Sequence, residues 1–275
     1  MNKLIFFKKQ LLLWSKNNTR SYSWRNSNDP WKILLIEVIA QQTQLDRANE
    51  YYEKFIKRFP TPEDMSISSK KEVLRLWSGL GYNNRAVRLH EASKILAYRS
   101  FNSIYPNFDI LPGVGKYTKD ALLSFVYKEK IITQDTNITR IFSRFFGVAN
   151  PKKFIQVNQE NILKNIKSRK FNQALMDFGS NICTSRNPMC SKCVLEKNCE
   201  KFFQKTKYVQ STFKGSNREI RGKVIKYLIN NKEVDISSLI KVLKIEEKKL
   251  NSILEKLEKE GMITIKNKKL IEISS

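Results

Sequence analysis

The 275-residue chain carries 51 Lys and Arg against 26 Asp and Glu, a formal net charge of +25, with 41% hydrophobic residues, enough for one large core or two smaller ones. That surplus argues for a polyanionic partner, nucleic acid first and an anionic membrane surface second. No apolar run approaches the ~20 residues of a membrane span, and four cysteines in a basic chain without a secretory signal speak against a disulfide-stapled secreted domain.

In chain order, the opening MNKLIFFKKQLLLW has its apolar stretch split by Lys8, Lys9 and Gln10. It reads as an amphipathic surface helix rather than a cleaved leader. Residues 1–206 read almost entirely helical, with apolar residues three and four apart in PWKILLIEVIAQQTQ, KKEVLRLWSGL and RAVRLHEASKILAY. Asp29-Pro30 is a helix start, a capping carboxylate followed by proline at the first helical position. Glu37 lies among Ile, Leu and Val, where desolvation would raise its pKa and suit a general acid near neutral pH; the alternative is a glutamate on the polar edge of its helix. LPGVGKYT, residues 111–118, places Gly113 and Gly115 around one residue before a helix, a backbone cradle for phosphate. In ITQDTNITRIFSRFFG, Asp135 precedes a helix expected to begin near Ile138 and is a natural N-cap. His90, the only histidine, reads as structural.

Cys183, Cys190, Cys193 and Cys199 follow as C-x6-C-x2-C-x5-C and are the only cysteines. Four thiolates so close hold tetrahedral zinc or an iron–sulfur cluster, and a single C-x2-C pair flanked by longer gaps suits the larger cubic cluster. A polar linker at 207–217 separates this part from the tail, 218–275. The tail reads as helices over REIRGKVIKYLIN, DISSLIKVL (capped by Asp235) and EEKKLNSILEKLEKEG (stopped by Gly261), then two short strands around Asn267-Lys268. Residues 207–275 have 16 basic and 9 acidic residues, net +7, so most of the charge sits with the first 206 residues. This order resembles a winged helix-turn-helix, which docks on DNA or on protein.

The cysteine loop resembles that of the endonuclease III and MutY branch of DNA glycosylases, and the other segments fall in the family's order. LPGVG resembles the helix-hairpin-helix element, which grips the DNA backbone through Gly113, Gly115 and Lys116 without reading sequence. Bifunctional members place a Schiff-base lysine where this chain has Tyr117, so the resemblance implies base excision without efficient strand cleavage. Asp135 matches the catalytic aspartate that stabilises charge on the sugar. Asn137 matches the D-G-N pattern of adenine glycosylases, although Thr136 stands at its centre, as in the D-T-x of endonuclease III-like sequences. EVIAQQTQ resembles the MutY motif whose glutamate protonates adenine at N7; that role falls to Glu37, with Asp135, Asn137 and Tyr117 supporting the oxocarbenium-like sugar. Gln42 and Thr43 correspond to residues that probe the opposing base. LWSGLGYNNRAVRLHEA resembles the loop whose Leu80, Gly81 and Tyr82 wedge into the duplex and help flip the base. Arg186 and Lys192 would meet phosphates.

The resemblance implies a mainly α fold of the HhH-GPD type. A six-helix barrel would span 26–130, a [4Fe-4S] subdomain 1–25 plus 131–206, and a winged-helix-like domain 218–275. DNA would lie in a groove with Glu37 and Asp135 facing each other. The expected protein is a monomeric, nucleoid-associated cytoplasmic glycosylase without membrane contact, acting on double-stranded DNA containing a mismatch or lesion. It would most readily remove adenine opposite guanine or 8-oxoguanine. Thymine or uracil removal from T·G or U·G is the rival activity, and a non-enzymatic DNA-binding regulator the third reading.

Overall fold

The computed structural model describes residues 2–204, 212–267 and 269–274. The expected linker at 207–217 lies outside the described residues as far as 211, as does Lys268 of the expected turn. The described chain is mainly helical. In order it forms α1 (Lys3–Asn18), α2 (Pro30–Ile39), α3 (Leu45–Arg58), α4 (Pro62–Ser66), α5 (Lys70–Trp77), α6 (Asn84–Tyr98), α7 (Phe101–Ile104), α8 (Lys116–Phe125), α9 (Thr136–Phe146), α10 (Pro151–Leu163) and α11 (Ser168–Asn181). The tail adds α12 (Asn217–Asn230), β1 (Val234–Asp235), α13 (Ile236–Leu243), α14 (Glu247–Lys259), β2 (Ile263–Lys266) and β3 (Leu270–Ile273). None of these helices is long and apolar enough to cross a membrane.

Two compact units result: Met1–Leu34 with Gly115–Lys207, and Leu35–Val114 with Tyr208–Ser275. The chain leaves the first unit within α2 and returns to it at Gly115.

In the first unit, α9 turns Ile138, Ile141, Phe142 and Phe145 inward at helical spacing. It ends on Gly147, whose φ of 72° is left-handed. Phe7 of α1 is fully buried and packs on Phe142, Phe145 and Phe171, with ring centroids 5.3, 4.8 and 6.2 Å away. The N-terminal helix is amphipathic, as expected: one face carries Phe6, Phe7 and Leu11 into an aromatic cluster that only the fold assembles, and the other leaves Ile5 and Leu13 exposed. α11 lies against α9 and α8. On it, the buried Asp177 takes a two-pronged ion pair from Arg25, at 2.6 and 2.7 Å.

In the second unit, α4 and α6 pack together and α5 lies against both α3 and α6. Buried Trp77 meets Phe55 edge-on at 5.7 Å. His90 is buried, with Nε2 3.1 Å from the Ser68 carbonyl, and burial is the leading cause that lowers its pKa. The tail forms the three expected helices and both strands. Asp235 caps α13 by accepting from the Ser237 amide at 2.7 Å, and Gly261 past α14 has a φ of 68°. β1 was not expected from the sequence: two residues show no alternation, and they become a strand only by pairing antiparallel with β3, Val234 opposite Ile271, in the sheet order β1-β3-β2. The tail also docks on α5. Lys70 Nζ donates to the Gly261 carbonyl at 2.9 Å and Lys71 Nζ to the Asn231 carbonyl at 3.1 Å, while α12 packs along the same helix.

Candidate active site and cysteine loop

Asp135 is the N-cap of α9, which begins at Thr136, two residues earlier than its apolar pattern suggests. Capping explains the difference, because Oδ1 accepts the Ile138 amide at 2.6 Å and so admits Thr136 and Asn137 to the first turn. Oδ2 accepts from Asn137 Nδ2 at 3.1 Å. Burial is the leading cause that raises the Asp135 pKa, opposed by the Ile138 amide, the Asn137 side chain and Arg140. The lead-in to this carboxylate is fixed by fully buried Asn172 of α11. Its side chain accepts from the Thr133 amide at 3.2 Å and donates to the Ile131 carbonyl at 2.8 Å. Gly179, also on α11, permits the close approach: a Cβ there would lie 2.6 Å from Asn137 Cβ.

Two arginines on α9 tie this carboxylate to the cysteine loop. Arg140 donates to Asn137 Oδ1 (2.7 Å), the Gly179 carbonyl (2.7 Å) and the Cys183 carbonyl (2.8 Å). One turn on, Arg144 donates to the Thr184 and Ser185 carbonyls at 2.6 and 2.9 Å and approaches Cys183 Sγ at 3.4 Å. All four cysteines are free and half-buried. They line one cavity of about 30 Å³, closed by Ile182, Pro188, Met189 and Phe203. Burial pushes the Cys193 thiol up to about 11, and the other three cysteines add to the rise. Four sulfurs thus converge on one small cavity that Arg144 also lines. Among the described residues, no three His, Cys, Asp or Glu side chains are arranged to hold a metal ion as they stand. Donor type and number nonetheless fit a four-thiolate inorganic cluster. Arg186 is exposed on the same loop, as is Lys192.

The Leu111–Gly115 turn is closed by the Val114 amide donating to the Leu111 carbonyl at 3.0 Å. Gly113 has a φ of 84°, and a Cβ there would sit 3.1 Å from Arg88 Cβ, so only glycine is unstrained. Gly115 is the N-cap of α8 and brings no side chain to its open amides. The flanking element on the other side is a 3₁₀ turn, Phe108–Ile110, where the resemblance to a helix-hairpin-helix implies a helix. Lys116 is largely exposed and pairs with Asp120 at 2.9 Å; Tyr117 is half-buried beside it.

In the second unit, Glu37 is 8% exposed, between fully buried Leu35, Ile36 and Ile39. α2 ends two residues later, so Gln42 and Thr43 stand in a turn, Gln42 exposed with a φ of 55°. Arg85, 9% exposed on α6, locks this turn. Its guanidinium donates to the carbonyls of Val38 (3.1 Å), Ile39 (3.2 Å) and Gln41, and also to Gly81 (3.2 Å), while lying 4.8 Å above the Trp77 ring. Burial lowers its pKa to about 10. One side chain thus holds the helix of Glu37, the Gln42 turn and the 79–82 loop. That loop is built on left-handed residues: Gly79 (φ 100°), Gly81 (φ 71°) and Tyr82 (φ 46°). Tyr82 is 38% exposed, whereas Leu80 is buried at 9%.

The expected site residues therefore gather in two sets, Asp135, Asn137 and the cysteines in one unit, Glu37, Gln42, Thr43 and Leu80–Tyr82 in the other. Sequence reading missed the connecting residues Arg85, Arg140, Arg144, Asn172 and Gly179. Only Arg140 and Arg144 left a signal, as an i, i+4 basic pair on a helix whose apolar face was plain.

Residues 35–165 match the HhH-GPD superfamily base excision DNA repair protein model. The chain is 32% identical over 255 residues to an adenine DNA glycosylase of Mycobacterium tuberculosis, covering 83% of this chain and 82% of the relative. It is 36% identical over 210 residues to an adenine DNA glycosylase of Buchnera aphidicola, with 74% of this chain matched; it spans only 60% of that relative's length. Among solved structures, a thermostable thymine-DNA glycosylase matches with a TM-score of 0.66 and 30% identity, covering 73% of this chain and 96% of that one.

Proposed function

The chain belongs to the HhH-GPD superfamily of base excision DNA repair proteins, and we propose that it is a monofunctional DNA glycosylase removing adenine opposite guanine or 8-oxoguanine. The observation that carries this is Glu37, a carboxyl held buried in the apolar heart of its helix beside a turn locked by Arg85. In this reading Glu37 protonates the departing adenine at N7 and makes it a better leaving group. Asp135, half-buried and aimed by its capping bond, stabilises the oxocarbenium-like sugar, with Asn137 and Tyr117 in support. Tyr117 is not a Schiff-base nucleophile, so the product is an abasic site in an intact strand. Gly113, Gly115, Lys116 and Arg186 take phosphates; Gln42, Thr43 and Leu80–Tyr82 handle the opposing base and the opened stack. Cys183, Cys190, Cys193 and Cys199 would hold a [4Fe-4S] cluster, which would supply positive charge and cross-link the 183–199 loop to itself, beside the arginines of α9. The tail is winged-helix-like, and the protein works as a monomer on duplex DNA at the nucleoid.

The 30% identity to a thymine-DNA glycosylase supports a second reading, removal of thymine or uracil from T·G and U·G. Single-turnover excision on A·8-oxoguanine, A·G, T·G and U·G duplexes, with and without alkali, separates the two. Adenine release that needs alkali for strand scission is expected. Glu37→Gln should slow adenine release by at least about 100-fold, and far more than any thymine release, because thymine offers no N7. Release of thymine or uracil alone would replace the adenine reading.

A further inference from the structure

We propose that the tail helix α12 and the Gly79–Asn83 loop together form a binding pocket for a single unstacked nucleotide of the DNA strand. The inference rests on the reading of the protein as a DNA-acting enzyme, but not on which base is excised. A cavity of about 550 Å³ opens between the loop and the tail, inside the range of small-ligand sites. Leu74, Ile225 and Ile229 are among its apolar lining. Two aromatic rings stand at it with exposed surface, Tyr82 at 38% from the loop and Phe213 at 62% from the segment before α12. Arg218, Lys223 and Lys226 also line it, against one acid, Glu219, which is paired with Lys223 at 2.9 Å. Apolar lining, ring faces and surplus cations are what a nucleotide requires: a base stacks on aromatic rings while its phosphate is met by Lys and Arg.

Two further observations make this a joint site. Arg218 Nη1 donates to Tyr82 Oη at 3.1 Å, so the tail helps to aim the exposed ring of the loop. α12 carries Gly222 among the pocket residues, and a Cβ there would meet nothing within 4 Å. Glycine in a helix interior is unfavourable without reason; here it leaves the pocket open.

The test is photocross-linking of the full-length protein to mismatch duplexes carrying 5-iodo-2′-deoxyuridine at one position at a time, with peptide mapping. Wild type should cross-link Phe213 from one or two neighbouring positions of one strand. Gly222→Phe, which fills the cavity, should abolish that cross-link and weaken duplex binding at least about tenfold, while excision by saturating enzyme stays within about twofold of wild type. Gly222→Ala, which adds only a methyl group in open space, should keep the cross-link. Phe213→Ala, at an exposed position, should reproduce the binding loss if Gly222→Phe fails to fold. Absence of any Phe213 cross-link, or unchanged binding in both Gly222→Phe and Phe213→Ala, would overturn the pocket. Cross-linking by a wild-type protein that excises no base would overturn the enzymatic reading and leave the pocket standing.

Discussion

The surroundings of Asp135 and of Glu37 are held in opposite ways. Asp135 sits at a helix end, and its position depends on a polar network: the Ile138 amide, Asn137, Asn172, and two arginines reaching the cysteine loop. Glu37 sits inside a helix, 8% exposed and flanked along the chain by buried Ile36 and Val38, and one guanidinium gathers the backbone just after it. The comparison teaches that a carboxylate at a helix end is placed by hydrogen bonds to its own oxygens, whereas one inside a helix is placed by its backbone, which a side chain from far along the chain then fixes. At Asp135 both effects act: hydrogen bonds favour the charged form, and burial, the larger, raises the pKa.

The largest expected effect comes from removing the anion. Asp135→Asn should lower single-turnover excision by about 10³-fold or more while leaving duplex affinity within about tenfold, since the charge acts mainly in the transition state. Turnover close to wild type would end the catalytic assignment and with it the contrast. Next comes the frame of the first unit. Asp177→Asn leaves Arg25 charged and unpaired at a site where the two side chains are 5% and 1% exposed. That should cost about 3 kcal/mol or more in urea unfolding. Replacing both partners by apolar residues should recover much of it. A loss below about 1 kcal/mol would show that this pair does not hold α11 to the N-terminal segment.

A smaller effect is expected in the other unit. Arg85→Lys keeps the charge but loses the fork that reaches both the end of α2 and Gly81. It should lower stability by about 1–2 kcal/mol and excision by more than that stability loss explains, seen as a drop in rate for fully folded enzyme at saturating protein. Equal excision at equal folded fraction would make Arg85 a core residue only. The smallest effect is in pH dependence. A raised Asp135 pKa means that the folded protein holds this proton more tightly than the unfolded chain does. Its contribution to stability is present below the ordinary value of 3.8 and is lost as pH rises through the folded value. The melting temperature of wild type minus that of Asp135→Asn should therefore increase as pH falls from 7 towards 4. A difference that shrinks over that range would mean that the hydrogen bonds outweigh burial.

Much of this protein was legible in its sequence because the governing interactions are local. Helix periodicity, the Asp29-Pro30 and Asp235 starts and the Gly261 stop each depend on residues within a turn or two. Gly113 was legible for the same reason: a left-handed φ at a tight turn is a property of the residue itself. The cysteine spacing indicated that the four sulfurs belong together, and they line one cavity; the motifs in family order indicated the base excision superfamily. Tertiary structure alone decided what those residues touch. Arg85 is 47 residues from Val38 and Asn172 is 39 from Thr133, and no local pattern encodes such pairings. β1 exists only through β3, α1 joins a core only through the aromatic faces of α9 and α11, and the tail meets the Tyr82 loop only because α5 offers it a docking face. The division has one physical cause. Backbone preferences and capping act over a few residues of chain, whereas burial and side-chain hydrogen bonds act across space, and their partners are chosen only when the whole chain has packed.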